Sequence, residues 1–293
     1  MAIAQTERRP QKVLLATDLT PAGDRALDRA VQLATDWCAQ LVVCHVIEAS
    51  SLRPWGIEQR VRNVELEIER LVQGASLARE PTRHIVIGDP AERVIEHVQA
   101  IGADFIVTGP AHGKIIGDKL LGSTAARIVR QAKKPVLAVR RRVLGPYSTV
   151  AIAVDFSEPS QQAFHCARSL LSKSAFTLIH AYAVAPDYRG RDADRSLDEV
   201  EVEERSRVLR NAEQDMADLI GKARQEVSIE TLLEEGSPDA VMTAYVDKRW
   251  PDLVVAGTRG RSATQQALIG SVTEGLLKSL PCDVLAVPAK LTA

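Results

Sequence analysis

One stretch near the C-terminus combines residue types and spacing that suit phosphate chemistry. An apolar run, Leu253-Val254-Val255-Ala256, ends at Gly257-Thr258-Arg259-Gly260, and nine residues later the chain reads Gly270-Ser271-Val272-Thr273-Glu274. A buried parallel strand that meets its loop has this form. Gly257 and Gly260 permit a sharp turn and a close approach of backbone to a ligand, with no Cβ in the way. Ser271 and Glu274 have the spacing of a capping box, so a helix is expected to begin there. The other N–H groups of its first turn, backed by the helix dipole, suit an anion, and phosphate is the usual occupant. Glycines after a strand also serve simply to turn a chain, and spacing alone leaves both readings open.

Catalytic machinery is not legible around this stretch. An enzyme needs a nucleophile or base set against its substrate. Asp18 and Asp155 are the acids at strand ends, and each is better suited to binding. The six histidines show no H-E-x-x-H spacing, and His45 and His180 fall on expected strands as packed core residues. The Gly-Lys-Ser/Thr ending of a Walker loop is absent. Cys38, Cys44, Cys166 and Cys282 are scattered with no C-x-x-C pair, which points to reduced thiols and a cytoplasmic protein.

The elements that must hold the glycine stretch alternate. Val13–Thr17 and Gln40–Ile47 read as strands, with a helical stripe from Gly23 to Trp37 between them. A charged helix over Gly56–Val72, a strand His84–Ile87, a helix Ala91–Ile101 and a strand Phe105–Thr108 follow. A helix from Gly122-Ser123 to Ala132 then leads to a strand Val136–Val139. The pattern restarts at Val150–Val154. Gly236-Ser237-Pro238 answers Gly88-Asp89-Pro90, and Gly270-Ser271 answers Gly122-Ser123 at an offset of 148 residues. The chain is therefore a duplication of βαβ units building parallel sheets. Arg191–Glu226 reads as a solvated helix packed on the sheet, with a partner-binding arm as the alternative. The join at Arg140-Arg141-Arg142 reads as a solvated strand end, too short to let the halves separate. At 293 residues, 45% hydrophobic, 26% charged and net charge -1, the composition is that of a globular protein. It offers no field for nucleic acid and no run long enough for a membrane. Met1–Pro10 lacks the apolar region of a secretory signal.

These features together resemble the universal stress protein family in its tandem two-domain form, similar to its E-type members. The family motif, G-x-x-G, nine residues, then G-S or G-T, is matched in full by Gly257–Gly260 and Gly270-Ser271. The resemblance covers the chain twice, as residues 1–143 and 147–293. It implies two open five-stranded parallel sheets, Rossmann-like and similar to the adenine-nucleotide alpha-hydrolases. Their fifth strands, Val136–Val139 and Val284–Val287, would pair in an internal pseudo-dimer. It implies ATP or AMP at the strand ends, with Asp155 near the ribose and Ala153 and Ala181 lining the base pocket. Gly257, Gly260, Gly270, Ser271, Val272 and Thr273 would hold the phosphates through N–H groups and two hydroxyls. Arg259 and Arg261 would add charge or lie in solvent, and Mg2+ or Mn2+ would bridge phosphates through water. The Ser-Gly-Gly-x-Asp-Ser loop of the related ATP pyrophosphatases is missing, which argues against adenylation.

The first half departs from the motif. Gly109-Pro110-Ala111-His112-Gly113 places a histidine where the second glycine belongs, and Pro110 lacks an N–H. Asp18, Val46, Gly109, Gly122, Ser123 and Thr124 are its counterpart site, less complete than the second. The implied role is a nucleotide-responsive regulator of the stress response acting on protein partners, with a further homodimer left open. Its rivals are a nucleotide-free scaffold and a slow ATPase, the latter with weak hydrolysis or autophosphorylation at Ser271 or Thr273.

Overall fold

The computed structural model describes residues 9–21, 23–49, 56–109, 123–184, 197–260 and 269–289. The first half runs β1 (Lys12–Thr17), α1 (Gly23–Trp37), β2 (Gln40–Ile47), α2 (Ile57–Val72), β3 (Thr82–Ile87), α3 (Pro90–Ile101), β4 (Phe105–Thr108), α4 (Ser123–Gln131) and β5 (Val136–Ala138). The second runs β6 (Thr149–Ala153), α5 (Glu158–Leu170), β7 (Ala175–Tyr182), α6 (Leu197–Ile220), β8 (Ile229–Glu235), α7 (Pro238–Arg249), β9 (Leu253–Gly257), α8 (Ser271–Ser279) and β10 (Asp283–Val287). All residues of β4 and β10 are buried, as expected of strands covered by helices on both faces. No helix among the described residues is long and apolar enough to cross a membrane.

The strands form one ten-stranded sheet in the order β3-β2-β1-β4-β5-β10-β9-β6-β7-β8. Pairing within each half is parallel. At the seam β5 and β10 run antiparallel, with Leu137 opposite Leu285. The pairing expected of the fifth strands is therefore present, and it removes two sheet edges. It also points the C-terminal ends of the two parallel sets in opposite directions.

Repeated polar details set the strand starts. Asp104 Oδ2 accepts hydrogen bonds from the N–H groups of Gln11 (2.9 Å) and Lys12 (3.0 Å). Asp252 Oδ2 does the same for Ser148 (2.8 Å) and Thr149 (2.9 Å). Burial pushes the Asp252 carboxyl up, but its bonds from Ser148 and Thr149 outweigh this and hold it below the usual range.

The linker differs from the expected solvated strand end. Arg140 is only 7% exposed, while Arg142 lies at the surface. The cause is Asp283, fully buried in β10, whose Oδ1 accepts from the N–H groups of Arg140 (2.7 Å) and Arg141 (2.9 Å). Its Oδ2 accepts from the Tyr147 hydroxyl at 2.6 Å, and Arg29 of α1 stacks over the Tyr147 ring at 3.8 Å. Burial, then the Asp283 charge, raise the Tyr147 pKa well above its ordinary value. A buried carboxylate is costly unless neighbouring donors and cations satisfy it, so linker, α1 and β10 are held as one unit.

The long charged stretch of the second half is helical over Leu197–Ile220, residues 191–196 lying outside the described residues, and it packs on the sheet toward its end. Ala212, Met216 and Ile220 are buried toward the end of α6, whereas Val202 near its start is 64% exposed.

Candidate functional site

In the second half the cleft opens where the strand order reverses. β6 pairs with β9 as far as Ile152 and Val255, and with β7 as far as Ala153 and Ile179. Beyond Ile152, β6 and β9 part, at the position where open α/β sheets bind ligands. The cavity there is about 230 Å³, and it is lined by Ala153, Asp155, Ala181, Gly257, Gly260, Gly270, Ser271, Val272 and Thr273. All nine second-half residues expected from the sequence thus converge on one cavity. Arg259 also lines it, while Arg261 lies outside the described residues.

The acid is held by a local turn. Asp155 Oδ1 accepts from the N–H of Ser157 at 3.0 Å and from its hydroxyl at 2.5 Å. The turn places Phe156 at φ 62, a left-handed conformation that bulky residues rarely adopt. Leu19 follows Asp18 at φ 57, and Thr20 N–H and hydroxyl donate to Asp18 Oδ1 at 3.1 and 2.7 Å. The same turn thus fixes the strand-final acid in both halves.

A histidine on the next strand braces each turn. His45 Nδ1 lies 2.9 Å from Thr17 O, and His180 Nδ1 lies 2.8 Å from Val154 O. A carbonyl only accepts, so both rings carry their proton on Nδ1. His45 is a core residue as expected, and burial lowers its pKa against the opposing effect of the Thr17 bond. His180 is only half-buried and stacks on Phe156 with ring centroids 4.4 Å apart.

The start of α8 differs from the expected capping box. Gly270 is the N-cap and Ser271 the first helical residue, with no side-chain cap bond. The Glu274 carboxylate turns instead to Lys278 and to Arg130 of the other half. The Lys278 hydrogen bond, foremost, holds the Glu274 carboxyl below the usual range. Thr273 is 3% exposed, and its hydroxyl donates to Gly257 O at 2.6 Å. Only the exposed Ser271 hydroxyl is therefore placed to donate into the cleft, against two expected. Helix geometry leaves the N–H groups of Ser271, Val272 and Thr273 without intrahelical acceptors.

The three glycines stand in different surroundings. A Cβ on Gly257 would stand 2.8 Å from Pro159 O, a backbone clash. One on Gly260 would stand 2.6 Å from Asp155 Oδ2. Gly270 has extended angles that any residue adopts, and its nearest neighbour would be 3.7 Å away. Among the described residues nothing obstructs a Cβ at position 270.

Sequence reasoning did not assign Pro238 and Met242 of α7 to the cleft, although both line it. The available signal was the repeated Gly-x-Pro turn, which starts α7 there and places the residue four further on along the same face.

The first-half cleft is about 260 Å³, and Asp18, Val46, Gly109 and Thr124 line it. Ser123 opens α4, with its side chain outside the description, and Gly122, Pro110, His112 and Gly113 lie outside the described residues. The walls are more polar than their counterparts: Thr17, Cys44, Glu48 and Thr108 line it. Burial pushes the Cys44 thiol up to about 12, so it remains protonated and unreactive. No group of three potential metal-binding side chains occurs among the described residues.

Comparison with known proteins identifies the same repeat. The sequence model of the universal stress protein family matches residues 10–140 and again 146–288. Universal stress protein A homolog 1 of Coxiella burnetii is 37% identical over 136 residues, covering 43% of this chain and 94% of its own. A universal stress protein of Thermus aquaticus is 30% identical over 144 residues, covering 48% of this chain and 98% of its own. Among solved structures, a universal stress protein from Archaeoglobus fulgidus superposes with a TM-score of 0.68 at 20% identity, covering 95% of this chain and 98% of that one. A putative universal stress protein from Pseudomonas aeruginosa gives 0.63 at 20% identity, covering 95% and 93%. At these identities the structural likeness speaks for the fold alone.

Proposed function

The chain belongs to the universal stress protein family, and on that premise we propose that its second half is an adenine-nucleotide site through which it acts as a stress-response regulator. The carrying observation is Gly270, a glycine with room for a Cβ, at the head of a helix whose first N–H groups face a cavity. In this reading the base lies against Ala153, Ala181, Pro238 and Met242, and Asp155 receives a ribose hydroxyl. The N–H groups of Ser271–Thr273 and the Ser271 hydroxyl receive the phosphates of ATP or AMP.

The division at 1–143 and 147–293 is part of the same proposal, with the first half the degenerate partner. His112 stands where its phosphate loop would need a glycine. Asp18, Val46, Gly109, Gly122, Ser123 and Thr124 then form a cleft that a triphosphate fits poorly. A Mg2+ or Mn2+ ion would arrive with the nucleotide, held by phosphate oxygens and water. The role is binding in the cytoplasm, with at most weak hydrolysis or autophosphorylation at Ser271, whose hydroxyl is reachable. Regulation requires that nucleotide favour one of two states of the cleft loop, which partners then distinguish.

The test is direct. Denaturing the purified protein and chromatographing what is released identifies a carried nucleotide. Calorimetric titration of the stripped protein with ATP and AMP then gives the stoichiometry, expected near one. A protein that carries no nucleotide and binds none would reassign the chain to a nucleotide-free scaffold.

A further inference from the structure

The linker buries more positive charge than its partners neutralise. Arg29 and Arg140 are 4% and 7% exposed, and Arg141, next to Arg140 in the chain, is half-buried. The acid of this cluster, Asp283, is already engaged. Its Oδ1 accepts from the backbone N–H groups of Arg140 and Arg141, its Oδ2 accepts from Tyr147, and Arg29 Nε lies 3.8 Å from Oδ2. The guanidinium groups of Arg140 and Arg141 are met by carbonyls instead. Arg140 Nη2 donates to Leu277 O in the last turn of α8, and Arg141 Nη1 donates to Pro251 O at 3.1 Å. A carbonyl satisfies a donor but does not neutralise a cation.

Three donors remain. Nε and Nη1 of Arg140 and Nη2 of Arg141 are shut from solvent, with no hydrogen-bond partner among the described residues. Buried donors of this kind point to an ordered water or an ion. Charge decides between the two. A guanidinium stays protonated in a protein, although burial holds the Arg140 pKa below its ordinary value against the opposing effects of Cys282 and Asp283. Cys282 feels the charge of both Arg141 and Arg140, which places the two head groups near its sulfur. As a thiolate it would be their counter-ion. Burial, the leading cause, pushes its pKa up to about 11, so it is a neutral thiol.

We propose that Arg140 and Arg141 hold a small monatomic anion, of the size and charge of chloride, beside Cys282. A buried cation without a counter-charge is costly. One anion takes up the orphaned donors and the charge together, whereas water would satisfy the donors alone. The closure of these nitrogens from solvent limits the guest to a small one. None of these residues lines either cleft, so the site is separate from both. It lies where the linker meets α8 and the start of β9, and the anion there fastens the first half to the second.

The test is urea unfolding of the full chain in sodium chloride and in sodium gluconate at equal ionic strength. One bound chloride lowers the unfolding constant about tenfold for each tenfold rise in chloride above its Kd. Arg141→Gln leaves the buried Arg140 side chain in place and is expected to keep native circular dichroism while losing this dependence. Arg142→Gln, at the exposed neighbour, is expected to retain it. Crystals grown in bromide should show an anomalous peak between Arg140 and Arg141 that Arg141→Gln removes. Equal unfolding constants in chloride and gluconate would overturn the proposal and leave water as the partner of the three nitrogens. A chloride dependence that Arg141→Gln keeps in full, or a bromide peak only at other places, would overturn it as well.

Discussion

Substituting alanine for each loop glycine in turn separates the demands of the fold from those of the ligand. At Gly257 the new Cβ would meet Pro159 O at 2.8 Å and Pro159 C at 3.0 Å. Both atoms belong to backbone near the start of α5, so β9 or the helix must move. Overpacking of this kind costs about 1–3 kcal/mol, and each kcal/mol lowers Tm by roughly 2–4 °C in a protein of comparable size. At Gly270 the nearest atom is Thr258 O at 3.7 Å, an ordinary contact. Its backbone angles suit alanine and the unfolded chain loses freedom, but alanine is a poorer N-cap than glycine, so the two effects oppose and stability should change by less than about 1 kcal/mol. ATP affinity should nevertheless fall at least about tenfold, or roughly 1.4 kcal/mol, because the methyl group takes the space at the helix N-terminus. Scanning calorimetry and isothermal titration of Gly257→Ala and Gly270→Ala read both quantities. If Gly270→Ala melts as early as Gly257→Ala, the steric argument is wrong. If it binds ATP as the wild type does, the phosphates do not sit on α8.

Asp283→Asn removes the buried anion facing Arg29 and Arg140 and should cost about 3–5 kcal/mol; a urea midpoint within error of wild type would remove Asp283 from the seam's stability. Thr273→Val leaves Gly257 O without its donor and should cost about 1–3 kcal/mol, read by urea unfolding; if stability is unchanged, the carbonyl has found another partner. Burial lowers the pKa of His45, so its neutral form is favoured in the fold. Its contribution to stability is complete above the unfolded pKa of about 6.5 and is lost as pH falls through the folded value. His97 and His165 shift the same way, burial again the leading cause. The urea midpoint should therefore fall between about pH 7.5 and 5.5, and His45→Gln should flatten part of that slope; a level profile in the wild type would contradict the burial argument.

The sheet was legible because it follows from apolar runs and a repeat, both of which lie along the chain, whereas the seam was implied only by the resemblance to the family. The polar interior was not legible. Arg140-Arg141-Arg142 has the composition of a solvated strand end, and partners far along the chain, Asp283 for the Arg140 N–H, Arg25 for its carbonyl and Leu277 O for its guanidinium, draw Arg140 into the core. Ser271 and Glu274 have capping-box spacing, but spacing does not say which residue is the cap. Gly270 takes that place, and Arg130 comes from the other half to meet Glu274. Thr273 likewise reads as a phosphate donor until the Gly257 carbonyl is seen beside it. The second-half site residues survive these corrections because their convergence depends on strand ends and helix starts, which the repeat places without side-chain detail.

The antiparallel seam constrains how the two halves can act together. Because β5 and β10 run in opposite directions, the clefts at the C-terminal strand ends open at opposite ends of the sheet. A ligand in one cannot bridge to the other. Among the described residues, the contacts that join the halves include the β5–β10 pair, the Glu274–Arg130 contact, the Asp283 cluster and the Trp37 Nε1 bond to Leu170 O. Glu274 lies one residue beyond Thr273 in the first turn of α8, so the proposed phosphate seat and the inter-half ion pair share a single turn of helix. If nucleotide binding shifts that turn, Arg130 and α4 feel it directly. Glu274→Gln should then leave ATP affinity nearly intact while abolishing any nucleotide-dependent change in hydrogen exchange at α4. Exchange that still responds in Glu274→Gln would route the coupling through the strands instead.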